Sequence, residues 1–197
     1  MPRPPTITND QILTAARTLF LAQGFGVSTS QIAQVAGVSE GTIFKRFLTK
    51  AQLFQASMGL PEIPQDKDHL FEAGTLEVRE QFHAVGLELL TYLRALMPRV
   101  MMMWAQPNIN PVTFLKENDV VPPKILLQKV VHYIESEKKM GRIQCESTMT
   151  VARMFLGSIH NFIFFELITG SNRTDEEVQS FLNEMLSVLW QGIKHEN

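Results

Sequence analysis

The chain has 197 residues, 45% of them hydrophobic, enough for one ordinary core or for a small module fused to a larger one. Its formal charge of −2 excludes a polycation, yet residues 1–58 carry +3 and the remainder −5, so a basic end on an acidic body suits contact with nucleic acid at one end only. The single cysteine, Cys145, excludes an intrachain disulfide and points to a reducing cytoplasm; no uninterrupted apolar run reaches membrane-spanning length and Met1-Pro2-Arg3-Pro4-Pro5 lacks the apolar core of a signal peptide, so neither membrane nor export is expected.

The N-terminal prolines cannot continue a helix and leave a short arm. Arg3 in it is placed either to reach a phosphate or minor groove, or to do nothing. Ile12, Ala15, Ala16, Leu19 and Phe20 make one stripe and predict a first helix from about Thr8 to Gln23. Gly24 stops it, and Phe25-Gly26-Val27 turns. A second helix is capped by Thr29 or Ser28 and ends at Gly37, which can take the positive φ of a tight turn. Ser39 caps a third. Ala33 lets the two helices approach closely, and Val38, Ile43 and Phe47 hold the third against the second. That layout is a helix-turn-helix, with Thr42, Lys45 and Arg46 pointing outward toward a DNA major groove.

Lys50 to about Leu60 is a fourth helix, with Leu53 and Phe54 inward, before Pro61 and Pro64 break the pattern. Thr75 to Met97 follows, with Val78, Phe82, Val85, Leu89, Leu93 and Leu96 on one face. Pro98 ends or kinks it, and Met101-Met102-Met103-Trp104 is a short helix or its continuation. Residues 107–121 read as a loop. Pro122-Pro123 starts a helix that Gly141 stops. The next runs from about Ser147 to Thr169, and the last opens on the capping-box spacing of Thr174 and Glu177. No alternating strand pattern stands out, so the fold class is all-α: an N-terminal helix-turn-helix domain over 1–50 and a larger helical domain over 51–197.

Ile12-x-x-Ala15-Ala16-x-x-Leu19-Phe20, Gly24, Thr29, Ile32-Ala33, Ala36-Gly37-Val38-Ser39, Gly41-Thr42-Ile43-Phe44, Phe47, Lys50 and Leu53 resemble, in order and without gaps, the N-terminal domain of the tetracycline-repressor (TetR) family. The likeness covers about the first 55 residues; the rest agrees only in length and helical layout. The resemblance implies a bacterial regulator, a homodimer of subunits with nine or so helices, whose last two helices build a four-helix interface. It also implies a small molecule that enters the C-terminal domain, changes the spacing of the two DNA-reading heads and frees a pseudo-palindromic operator. Two positions depart from the pattern. Phe44 stands where the family usually has Tyr, losing one neutral phosphate hydrogen bond per subunit, roughly 0.5–1.5 kcal/mol. Arg46 stands where His is frequent, replacing a titratable ring by a permanent cation.

The expected DNA-binding residues are Thr29, Ser30, Gln31, Ser39, Thr42, Phe44, Lys45, Arg46 and Lys50. Lys45 and Arg46 suit guanine or phosphate. Thr29, Ser30 and Gln31 open a helix whose free N–H groups favour a phosphate, and Lys50 reaches the backbone. Glu40 either accepts from a cytosine amino group or favours its helix N-terminus, and the second reading is preferred. In the C-terminal domain the Met and aromatic content exceeds what one stripe needs. Met97, Met101, Trp104, Met154, Phe155 and His160 are the candidate ligand-binding residues for a small hydrophobic or amphipathic effector. Phe162, Phe165, Phe181 and Met185 are expected at the dimer interface.

No cofactor, metal or catalytic residue is expected. Glu80-x-x-His83 has a di-iron spacing, but that chemistry needs a second such pair and two more Glu. The alternatives are a helical metal-binding or enzymatic bundle and a DNA-binding architectural protein that takes no ligand.

Overall fold

In the computed structural model the described residues are 8–63, 65–107 and 122–193. They contain eight α-helices and one 3-10 helix: α1 Asn9–Gln23, α2 Thr29–Ala36, α3 Glu40–Arg46, α4 Lys50–Ser57, the 3-10 helix Gln65–Phe71, α5 Val78–Trp104, α6 Pro122–Lys139, α7 Thr148–Thr169 and α8 Asp175–Ile193. No strand occurs among them. The stretch expected as a loop, 107–121, lies almost wholly outside the described residues.

The helix ends follow local chemistry. Thr8 forms a capping box with Gln11 on α1, and Ser28 forms one with Gln31 on α2. Of the two candidate caps for α2, Ser28 is the one used. Gly37 ends α2 in the left-handed region at φ 68°, where a side chain would be strained. Ser39 accepts the Thr42 N–H on α3, Thr49 the Gln52 N–H on α4, and Ser147 the Thr150 N–H on α7. Pro98 neither ends nor interrupts the assigned helix; α5 carries on through it to Trp104.

The chain separates into two compact units. The first holds the chain up to Leu60 and the stretch beginning at Pro98, so it reaches past residue 50 and borrows the end of α5. Its core is Ile12, Ala16, Phe20, Val27, Ile32, Ala33, Ile43, Leu53, Phe54 and Met58, completed by Met103. Phe20, Phe25 and Phe54 meet ring to ring, with centroids 5.0–5.9 Å apart. Two arginines hold carbonyls at and just beyond the α4 C-terminus: Arg17 Nε donates to Ser57 O at 2.8 Å, and Arg99 Nη1 to Gly59 O at 2.7 Å.

The second unit holds Pro61–Met97 and the C-terminal helices. Phe82 stands edge-on to both Tyr133 and Phe155, at 5.4 and 5.1 Å. A Cβ at Gly86 would meet Leu182 Cδ2 at 2.8 Å, so α5 and α8 pack this closely only because residue 86 has no side chain. Buried Gln81 donates to Leu70 O and Glu72 O, and buried Glu137 accepts the Gly74 N–H and pairs with Arg142. Burial first, and the Glu137 charge second, push the neighbouring Tyr133 phenol up. By length and hydropathy alone α7 is apolar enough to cross a membrane. Arg153, His160 and Asn161 interrupt it, and Val151, Ala152, Phe155, Ile159 and Ile163 are buried on it.

Candidate nucleic-acid interface

The interface is built on α2 and α3. Ile32, Ala33 and Ile43 are buried in the first unit's core, which fixes both helices and turns their polar residues outward. Ser30, Gln31, Ser39, Phe44, Lys45 and Arg46 are exposed, while Thr29, Thr42 and Lys50 are half-buried. All nine sequence-predicted residues therefore lie on one small unit with at least part of each side chain accessible.

Several of these side chains are already engaged within the chain. The Gln31 amide oxygen accepts the Ser28 N–H at 3.0 Å, so Gln31 closes its own cap. The Thr29 hydroxyl donates to the Glu40 carboxylate, linking the first turns of α2 and α3. Ser39 and Thr42 hydroxyls lie 2.9 Å apart. Arg46 Nη1 donates to Asn9 Oδ1 at 3.1 Å, reaching back to the start of α1. Lys50 Nζ stands 4.7 Å over the Phe25 ring, a cation–π contact that holds the ammonium in place. Phe44 is 40% exposed and Leu48, just beyond α3, is 75% exposed. These apolar surfaces suit a sugar or a thymine methyl.

Sequence reasoning passed over Asn9, Phe25 and Leu48. Asn9 and Phe25 act on partners 37 and 25 positions away, outside any helical period. Leu48 carried a signal: a large apolar residue between a helix end and the Thr49 cap has no core to enter.

The candidate ligand residues are spread. Met101 and Trp104 belong to the first unit and the other four to the second. Met97 and Phe155 are buried; Met154, His160 and Trp104 are exposed. Of the candidate dimer residues, Phe162 and Phe181 stack at 4.2 Å within the chain, Met185 is half-buried and Phe165 is exposed. Glu80 and His83 line an open groove with Arg79, Gln179, Asn183 and Leu186. No group of three or more His, Cys, Asp or Glu able to hold a metal occurs among the described residues.

Residues 12–57 match the family model for bacterial regulatory proteins, tetR family. Across 94% of the chain and 97% of the relative, the sequence is 25% identical to the HTH-type transcriptional regulator YvkB of Bacillus subtilis (strain 168). Over 88 residues, 42% of each chain, it is 36% identical to the HTH-type transcriptional repressor BepR of Brucella suis biovar 1 (strain 1330). Its fold matches that of the transcriptional regulator FadR from Bacillus subtilis in complex with stearoyl-CoA, with a TM-score of 0.65 and 18% identity over 95% of this chain and all of that one.

Proposed function

The chain is a transcriptional regulator whose helix-turn-helix domain belongs to the tetR family of bacterial regulatory proteins, and from that premise we propose that it is a cytoplasmic, homodimeric repressor that leaves a pseudo-palindromic operator when a small, mainly apolar molecule binds. The observation that carries the reading is the outward row Thr42, Lys45 and Arg46 on a helix fixed from behind by buried Ile43, with Lys50 steadied beside it. Cations there neutralise phosphates, and an Arg reads guanine.

A second copy of the chain is the partner that best suits α7 and α8. Met154, Phe165 and Ile168 are exposed on α7 and Val188 on α8, an apolar area that pairing would remove from water. Gly157, mid-helix on α7, has no atom near enough for an added Cβ to touch among the described residues. A glycine there costs about 1 kcal/mol against alanine, which makes sense where a second helix crosses closely. Two-fold pairing sets two recognition helices about 34–36 Å apart, or a multiple of that spacing.

The repressor reading draws on BepR, and the apolar effector on the acyl chain of the stearoyl-CoA held by FadR together with the buried Met97 and Phe155. Regulation of this kind requires no catalytic residue. The test is selection from a random duplex library with the purified chain. A palindromic consensus bound by wild type and lost with Lys45→Ala/Arg46→Ala is expected; equal binding by the double variant would remove α3 from the recognition role.

A further inference from the structure

Two helix starts meet at Thr29 and Glu40, where the α2 hydroxyl donates to the α3 carboxylate. Neither start needs Glu40 as its cap. Ser28 and Gln31 close the box on α2, and Ser39 takes the Thr42 N–H on α3. Glu40 is exposed, as are Ser30, Lys45 and Arg46 on the same two helices. An acid on a surface that meets a polyanion is repelled by every phosphate within a Debye length, whatever the sequence.

One group in the major groove reverses that sign. The cytosine N4 amino group donates to a carboxylate, and the first residues of a recognition helix are those that reach base edges. Adenine offers an amino group too, but N7 and the thymine O4 flank it with acceptors that repel a carboxylate; cytosine N4 has the guanine O6 on one side only. We propose that Glu40 reads one cytosine in each operator half-site, that Thr29 is the positioning residue that holds its carboxylate, and that its charge weakens binding to all other DNA. The proposal rests on the reading of α2 and α3 as the DNA interface. It revises the preference for Glu40 as a helix-end charge, because the Thr29 bond ties the carboxylate across to a second helix.

The experiment uses the full chain, its selected operator, the same operator changed one base pair at a time, and a random-sequence duplex, read by fluorescence anisotropy at fixed salt. Wild type should discriminate against loss of one C·G pair per half-site by roughly tenfold or more. Glu40→Gln should level that one position, leave the others unchanged, and tighten random DNA several-fold. Thr29→Val should weaken the same discrimination partway, and Thr29→Ser should restore it, a pattern that a purely structural hydroxyl would not give. Unchanged discrimination at every base pair in Glu40→Gln overturns the proposal while leaving the DNA-binding reading intact. If wild type selects no sequence at all, the interface reading fails and this proposal falls with it.

Discussion

At the residue scale, the side chains proposed to face DNA divide by how they are held. Lys50 sits over Phe25, whose ring is also packed against Phe20 and Phe54. Phe25→Leu keeps an apolar filler and removes the π-face, so operator affinity should fall by a few-fold, with Phe25→Trp restoring it. Loss in both variants would assign Phe25 to packing alone. Lys50→Ala should weaken every DNA sequence alike and flatten the log–log salt dependence by about 2 for a dimer. Lys45→Ala/Arg46→Ala should also relax sequence preference. An unchanged salt slope in Lys50→Ala would deny that residue its phosphate contact. These contacts show where sequence reading stops. Caps such as Ser39, and the turn at Gly37, are local chemistry over three or four residues and stand in plain view. The Arg46–Asn9 and Lys50–Phe25 pairings are made by folding distant segments together, and nothing in the local pattern marks them.

At the element scale, helix ends and helix faces carry separate tests. Glu177 accepts the Thr174 N–H at 2.8 Å and a bond from Arg173, also at 2.8 Å. The Thr174 backbone bond first, and the Arg173 bond next, hold the carboxyl below its ordinary value near 4.5. A lowered folded value means the contribution is complete above the ordinary value and is lost as pH falls through the depressed one. Protection from hydrogen exchange in the first turn of α8, relative to the intrinsic rate at each pH, should therefore fall only as pH drops below the ordinary value. Glu177→Gln should exchange faster already at pH 7 and lose the acid dependence; an identical acid profile in that variant would locate the effect elsewhere. On α7, Gly157→Leu should disrupt pairing without unfolding the subunit, because among the described residues nothing stands near an added Cβ. Sedimentation should show monomer in micromolar solution, and operator affinity should collapse with it. A Gly157→Leu dimer as stable as wild type would move the crossing point away from this turn. The extent of α7 was legible in the sequence, but the stacking of Phe162 on Phe181 within one subunit was not. Periodicity assigns a residue to a face without saying whether its neighbour comes from the same chain.

At the scale of the whole molecule, an effector can shift the protein off DNA only by preferring one state, however tightly it binds. Long-chain amphipathic molecules are expected to bind with micromolar constants, about −8 kcal/mol, and to release the operator over the same concentration range. Trp104, 61% exposed, reports beside half-buried Trp190. Fluorescence changes with no loss of operator binding would separate ligand binding from the switch; release by multiply charged polar metabolites alone would return Met97 and Phe155 to the core. Fold class and most helix ends could be read from the amino acids, because caps and apolar stripes are local. The extent of the first unit could not. Met103 and Arg99, which finish its core and hold the Gly59 carbonyl just past α4, are supplied by a helix that begins at Val78.

That borrowed helix end has a consequence for synthesis. Residues 8–60 leave the ribosome before the end of α5, yet the core they build is incomplete until Met103 has emerged. More than forty residues separate Leu60 from Met103, a few seconds of translation at ~5–20 residues per second. A fragment ending at residue 60 should melt broadly and at lower temperature, whereas one ending at residue 107 should regain a cooperative transition for this unit. A nascent chain short of Met103 is therefore expected to hold α2 and α3 less firmly than one that has passed it.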